Sequence, residues 1–204
     1  MVTRHRTAFD PLRHGLALAN YFQRALPVRL GPLVYGLCGG MCFAALDYYH
    51  AGLPASAVGD DPARLNRYLH KRQWASFGGP VVPWRTLVWS LRRDARIAAL
   101  TRRREWPRVR ARLECGEPVV LVLIRSRGWR HLTTNHQVVA AAYEEDAAQQ
   151  ITLCVYDPNH PGQEPTLRFG LADSPLLDGQ HSTGEMDRGF FVQRYRPRHR
   201  GLPT

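Results

Sequence analysis

Six consecutive apolar residues, Val119-Val120-Leu121-Val122-Leu123-Ile124, constrain this chain more than any other stretch. The run is β-branched, apolar and of strand length. With no polar position along it, it reads as a strand buried on both faces. Further strands are expected at 136–143, 151–156, 166–169 and 190–195, with Glu144-Glu145-Asp146 in a polar hairpin connection between the first two of these. The residues before Pro118 have a different character. From Met41 to His50, Cys42, Ala45, Leu46 and Tyr49 recur at the helical period, and Gly52 and Pro54 stop the helix. A second helix starts with Asp61 as N-cap and Pro62 at the first helical position, its apolar face being Leu65, Tyr68 and Leu69. Two more are expected over 84–100, through Trp84, Leu87, Val88 and Leu91, and over 107–115, closed by Gly116. An α-rich half followed by an antiparallel-sheet half makes the fold α+β. The expected organisation is an irregular lead-in over 1–34, interrupted by Pro27 and Pro32, then a single domain over 35–204. Its helical half spans 35–116 and its sheet half 117–196.

A length of 204 residues fits one domain with a substantial core. There are 28 basic against 17 acidic residues, hence a net charge of +11, and Lys71 is the only lysine. Arginine suits bidentate contact with phosphate or carboxylate, so a basic surface facing an anionic partner is compatible with this balance. The clusters Arg92-Arg93, Arg102-Arg103-Arg104 and 194–200 lack the aromatic interleaving of a base-stacking surface, which argues against nucleic acid without excluding it. The first ten residues are basic but lead into no apolar run of roughly seven residues, so no secretory signal is expected. No apolar stretch of about 18 residues is present either, and a cytoplasmic location follows as the expectation unless a signal-independent route exports the chain. Four cysteines, Cys38, Cys42, Cys115 and Cys154, fit no disulfide framework and are expected to be reduced. The oligomeric state stays open.

Chemistry is most legible in Tyr35-Gly36-Leu37-Cys38-Gly39-Gly40-Met41-Cys42. A cysteine at the mouth of a helix meets unpaired N–H groups and the positive end of the dipole, both of which stabilise a thiolate. The following glycines would let backbone approach a substrate carbonyl, with the Cys38 N–H donating to an oxyanion. The plain alternative is a structural cysteine beside a glycine turn. In Thr134-Asn135-His136-Gln137-Val138, a histidine opens an apolar strand. The next strand ends in Asp157-Pro158-Asn159, so adjacent antiparallel strands would bring Asp157 to the outer nitrogen of His136, although Asp before Pro is also a common turn starter. Cys38, Cys42, His136 and His160 are conceivable zinc ligands, but their spacing lacks the second half of a finger or ribbon, and no metal or cofactor is expected. His5, His14, His181 and His199 look like scattered surface residues.

This order, a Cys-Gly helix opening, a Gly116-Glu117-Pro118-Val119-Val120 strand, a His-led strand and a strand ending in Asp-Pro, resembles the papain-like cysteine peptidase superfamily. It is most similar to the bacteriocin-processing, double-glycine-leader peptidase branch. The resemblance spans roughly residues 35–160. It implies a papain-like fold with Cys38 as nucleophile, His136 as general base and acid, and Asp157 orienting the imidazole. The implied activity is a bacterial cysteine peptidase cleaving peptide or isopeptide bonds. The same trio supports deamidation or acyl transfer, and a catalytically silent binding domain is the other class of outcome. Where the family carries an oxyanion-hole glutamine, this chain has Pro32, leaving Asn20 and Gln23 as the upstream amides. Cys42, followed by Phe43-Ala44 as the papain nucleophile is by an aromatic and Ala, is the alternative nucleophile. Trp74, Trp84 and Trp129 are candidates for the walls of a groove between the two halves, or for the core, and 126–134 is a connection that could cover it.

Overall fold

The computed structural model describes residues 2–18, 20, 24–28, 31–198 and 201–204, with 24–28 and 31–35 as backbone. It is a mixed helix and antiparallel-sheet structure, compatible with the α+β expectation. The central strands are β4 (Val119–Ile124), β5 (His136–Glu145), β6 (Gln150–Tyr156) and β7 (Thr166–Gly170). They are flanked by β10 (Gly189–Val192) beyond β4, and by β8 (Gly179–His181) and β9 (Met186–Asp187) beyond β7.

All six residues of β4 are buried, because both faces of the sheet are covered. Val119, Leu121 and Leu123 pack with Trp106, Val109 and Leu113 of α6 (Trp106–Glu114). Val120, on the opposite face, meets Cys42, Phe43 and Leu46 of α2 (Cys38–His50). Val122 and Ile124 pack with Trp89 of α4 (Val81–Ser90) and Ile97 of α5 (Asp94–Leu100). The other face of α2 carries Met41, Ala44 and Tyr48 against Leu65, Tyr68 and Leu69 of α3 (Pro62–Phe77). A helix buried on both sides has no polar stripe, and every residue from Gly39 to Tyr48 is buried.

The expected start of α3 is observed, with Asp61 Oδ1 accepting the Arg64 N–H at 2.9 Å. The helix expected over 84–100 is instead two, broken at 91–93. Arg188 donates to the carbonyls of Ser90 and Arg92 and pairs with Asp94 at 2.6 Å, satisfying groups that an uninterrupted helix would have consumed. Between α5 and α6 the chain makes a π turn, Thr101–Glu105. This turn sets Thr101 and Glu105 along β10, where Thr101 Oγ1 accepts the Phe190 N–H and Glu105 Oε2 accepts the Val192 N–H.

The lead-in expected to be irregular contains regular structure. β1 (Thr3–Arg6) pairs with the half of β5 that β4 does not reach, and Thr7 donates to the Ala141 carbonyl at the irregularity in β5. Every side chain of β1 is exposed, so backbone pairing forms the strand and no apolar pattern announces it. After α1 (Pro11–His14), β2 (Arg24–Val28) and β3 (Gly31–Tyr35) form a separate two-stranded ribbon in which Pro27 lies opposite Pro32. Proline is tolerated in such a ribbon because an edge position need not donate to a ladder.

Gly39 and Gly40 have a packing role beyond the substrate approach expected of them. A Cβ on Gly39 would overlap Gln137 Oε1 and Ser76 Oγ, and one on Gly40 would overlap the Leu69 carbonyl. Gly40→Ala is therefore expected to force α2 and α3 apart at a cost of about 1–3 kcal/mol, the range of an overpacked core. Thermal unfolding should show this as a Tm lower by several degrees. An unchanged Tm would mean that α3 lies farther from α2 than described.

Candidate active site

Cys38 is the first residue of α2, where the backbone N–H groups lack intrahelical acceptors. Its thiol is coupled electrostatically to His136, and the backbone amides of Gly39 and Gln137 act on it in the same sense. The site forms because β5 begins at His136 while packed beneath α2. Asn135 fixes that beginning: its Oδ1 accepts from the N–H groups of Arg125 and Ser126, and its Nδ2 donates to the Leu132 carbonyl. The 126–134 connection is tied down further by Gly128 N–H to the Ser90 carbonyl and by Arg127 to Asp94.

Strand β6 runs antiparallel to β5, with Tyr156 opposite Val139, and delivers Asp157 to the ring. His136 Nε2 and Asp157 Oδ1 are 2.6 Å apart, and both side chains are almost wholly buried. This leaves Nδ1 for the sulfur. Asp157 Oδ1 also accepts the Asn159 N–H at 2.7 Å, so the same carboxylate holds the imidazole and starts the turn.

Burial alone would push the Cys38 thiol up. The hydrogen bond and charge of His136, helped by the two N–H groups, hold it below the usual thiol range instead. Burial would lower His136, but Asp157 and Cys38 raise it to about 10. Burial likewise opposes ionisation of Asp157, and the bond to His136 keeps its carboxyl below the usual carboxylate range. The three groups together favour a thiolate beside an imidazolium.

Cys42, the alternative nucleophile, is fully buried one turn into the helix, with its thiol donating to the Gln137 carbonyl at 3.3 Å. Burial drives its pKa well up, so the ionised form is disfavoured there. Asn20 is close to the nucleophile's backbone: its Oδ1 accepts the Leu37 N–H at 2.8 Å and its Nδ2 donates to Asn159 Oδ1 at 3.1 Å. Gln23 lies outside the described residues. His160 is apart from the cysteines, 3.5 Å from Glu185, and among the described residues no group of three or more His, Cys, Asp or Glu is arranged to hold a metal ion. All four cysteines are free thiols. Trp74, Trp84 and Trp129 do not belong to the core. They are 62%, 65% and 58% exposed, because each sits on the solvent side of its segment.

His181 corrects the expectation of a surface histidine. Its side chain is fully buried in β8, with Nε2 3.4 Å from the second oxygen of Asp157 and Nδ1 2.5 Å from Thr183 Oγ1. Burial lowers its pKa, so it stands as a neutral ring behind the carboxylate. His14, also expected at the surface, is buried against Phe9 and Tyr49. The only sequence signal for His181 was alternation, since Leu177, Gly179 and His181 are buried while Gln180 is exposed. In a three-residue strand that holds no large apolar residue, that signal is too faint to read.

Among the described residues no helix is long and apolar enough to cross a membrane. The chain matches no family model, no curated protein and no solved structure.

Proposed function

We propose that this chain is a papain-like cysteine hydrolase, with Cys38, His136 and Asp157 as its triad and a peptide or isopeptide bond as its target. The observation that carries the reading is a cysteine at a helix N-terminus whose thiol and the His136 ring pull on each other's pKa, with Asp157 holding that ring at 2.6 Å. In this reading the Cys38 thiolate attacks the carbonyl carbon. The oxyanion forms where the Cys38 N–H and the Asn20 amide can donate, and His136 protonates the departing amine from Nδ1. A thioester remains. His136 then takes a proton from water, whose oxygen displaces the sulfur and releases the acid. Asp157 holds the ring in orientation through Oδ1, while its second oxygen lies 3.4 Å from His181 Nε2 with no hydrogen bond between them.

One observation favours a silent binding domain: Asn20 Oδ1 is taken by Leu37 and one of its two Nδ2 hydrogens by Asn159, so a single N–H remains for an oxyanion. Deamidation and acyl transfer use the same trio and differ only in the leaving group or acceptor.

The test is hydrolysis of a peptide library by the native protein and by Cys38→Ala, followed by a pH profile of kcat/KM on any substrate found. The acid limb is expected below the ordinary thiol range, because protonating the thiolate needs a lower pH than in a free cysteine. The alkaline limb is expected near pH 10, where the imidazolium loses the proton the leaving group requires. An acid limb at or above pH 8.5, the free-thiol value, would remove the ion-pair mechanism.

A further inference from the structure

A cavity of about 790 Å³ opens between the C-terminal end of α3, the start of α4 and the segment that follows β10. Five arginines line it, Arg72, Arg85, Arg194, Arg196 and Arg198, and no acidic residue does. Two of them are matched from behind. Arg72 pairs with buried Asp47 at 2.6 Å, and Arg85 pairs with buried Glu105 at 2.6 Å. The exposed guanidinium groups of Arg194 and Arg196 have no ion-pair or hydrogen-bond partner among the described residues.

The floor is of a different kind. Phe43, Phe191, Val81 and Val82 make it apolar. Gln193, 2% exposed, donates its Nε2 to the Ser76 carbonyl and leaves Oε1 without a donor. Apolar walls and a rim of unpaired guanidinium groups together match a peptide whose carboxylate side chains alternate with apolar ones. A phosphate alone would leave the apolar floor unused.

The cavity is also near the nucleophile. Ser76 on its wall packs on Gly39, the residue that follows Cys38, and Phe43 on its floor belongs to the same helix, about 7–8 Å farther along the axis. We propose that this cavity binds an acidic, apolar-containing segment of the peptide substrate, which makes acidic peptides the substrate class. The assignment as a substrate subsite rests on the hydrolase reading, whereas the binding itself does not.

The test uses full-length Cys38→Ala protein and a fluorescein-labelled octapeptide of alternating leucine and glutamate, read by anisotropy at 150 mM salt. The acidic peptide should bind at least tenfold more tightly than its glutamine-for-glutamate twin. Arg194→Glu with Arg196→Glu should abolish that difference, while Arg13→Glu with Arg67→Glu, a change of equal charge at exposed sites elsewhere, should preserve it. Equal binding of the two peptides would overturn the proposal. So would insensitivity to the 194/196 reversal, equal loss in the 13/67 control, or equally tight binding of an eight-nucleotide oligothymidylate. Failure of peptide binding in a protein whose Cys38 still alkylates rapidly removes this inference alone. Retained binding with an unreactive Cys38 removes the hydrolase reading alone.

Discussion

Replacing His136 with alanine is expected to slow alkylation of Cys38 by iodoacetamide at pH 5.5 by roughly tenfold or more, because an ordinary thiol with a pKa near 8.5 is almost wholly protonated there. The native thiol is held below the ordinary thiol range because His136 outweighs the effect of burial, so a larger share of it is ionised at acid pH. Without the imidazole, burial acts unopposed and drives the thiol up. The gain from ionisation is partly offset, since a less basic thiolate is a weaker nucleophile. For that reason the contrast belongs at acid pH, and the rate of His136→Ala should climb toward the native rate as the pH rises. Cys115 is exposed and serves as the internal control. Cys42 and Cys154 are buried, with pKa values pushed up, in Cys154 to about 12, and should stay unmodified in the folded protein. Peptide-mapped rates would decide the matter. If Cys38 and Cys115 alkylate at similar rates at pH 5.5 in the native protein, Cys38 is not an activated nucleophile.

Asp47→Ala is expected to be the most destabilising single change away from the site, at about 3–5 kcal/mol, the loss seen when one partner of a buried ion pair is removed. Asp47 is fully buried in α2. It pairs with Arg72 at 2.6 Å, and it accepts from the Tyr68 hydroxyl at 2.8 Å, the Tyr195 hydroxyl at 2.7 Å and the Arg198 N–H at 2.8 Å. Burial pushes its carboxyl above the usual range, against the pull of Arg72 and the hydrogen bonds. Removing it strands a buried guanidinium lying over the Phe43 ring and leaves three further donors without their acceptor. Urea unfolding should show the loss in the transition midpoint. Asp47→Leu combined with Arg72→Met should recover much of it, since apolar replacement of a whole buried pair is often neutral. A loss below about 1 kcal/mol for Asp47→Ala would show that the cluster is not sealed from water.

Much of the sheet was legible because its signals are local. The six-residue run of β4, the Asp61-Pro62 start of α3 and the strands following His136 and Gln150 are each written in consecutive residues. The polar ends of the molecule were not. β1 is held by pairing alone, β8 and β9 are three and two residues long, and the break in α4–α5 depends on Arg188, roughly a hundred residues away in sequence. The same division runs through the candidate site. Cys38, His136 and Asp157 each open or follow a recognisable element, and the register of β5 on β6 brings the last two together. His181 was missed because nothing in its neighbourhood marks it as interior. The packing role of the glycines after Cys38 was not legible, because the atoms that crowd them come from α3 and β5, which no local pattern reveals.

The side chains laid along β10 by the π turn have an effect on how copies of this protein behave toward one another. Thr101 and Glu105 occupy N–H groups of the terminal strand, and Arg85 Nη1 takes the Val192 carbonyl at 3.2 Å. The opposite margin ends in a strand of two residues. At these two borders a neighbouring molecule therefore finds no long row of unmet amides on which to extend the ladder, and strand addition there is disfavoured.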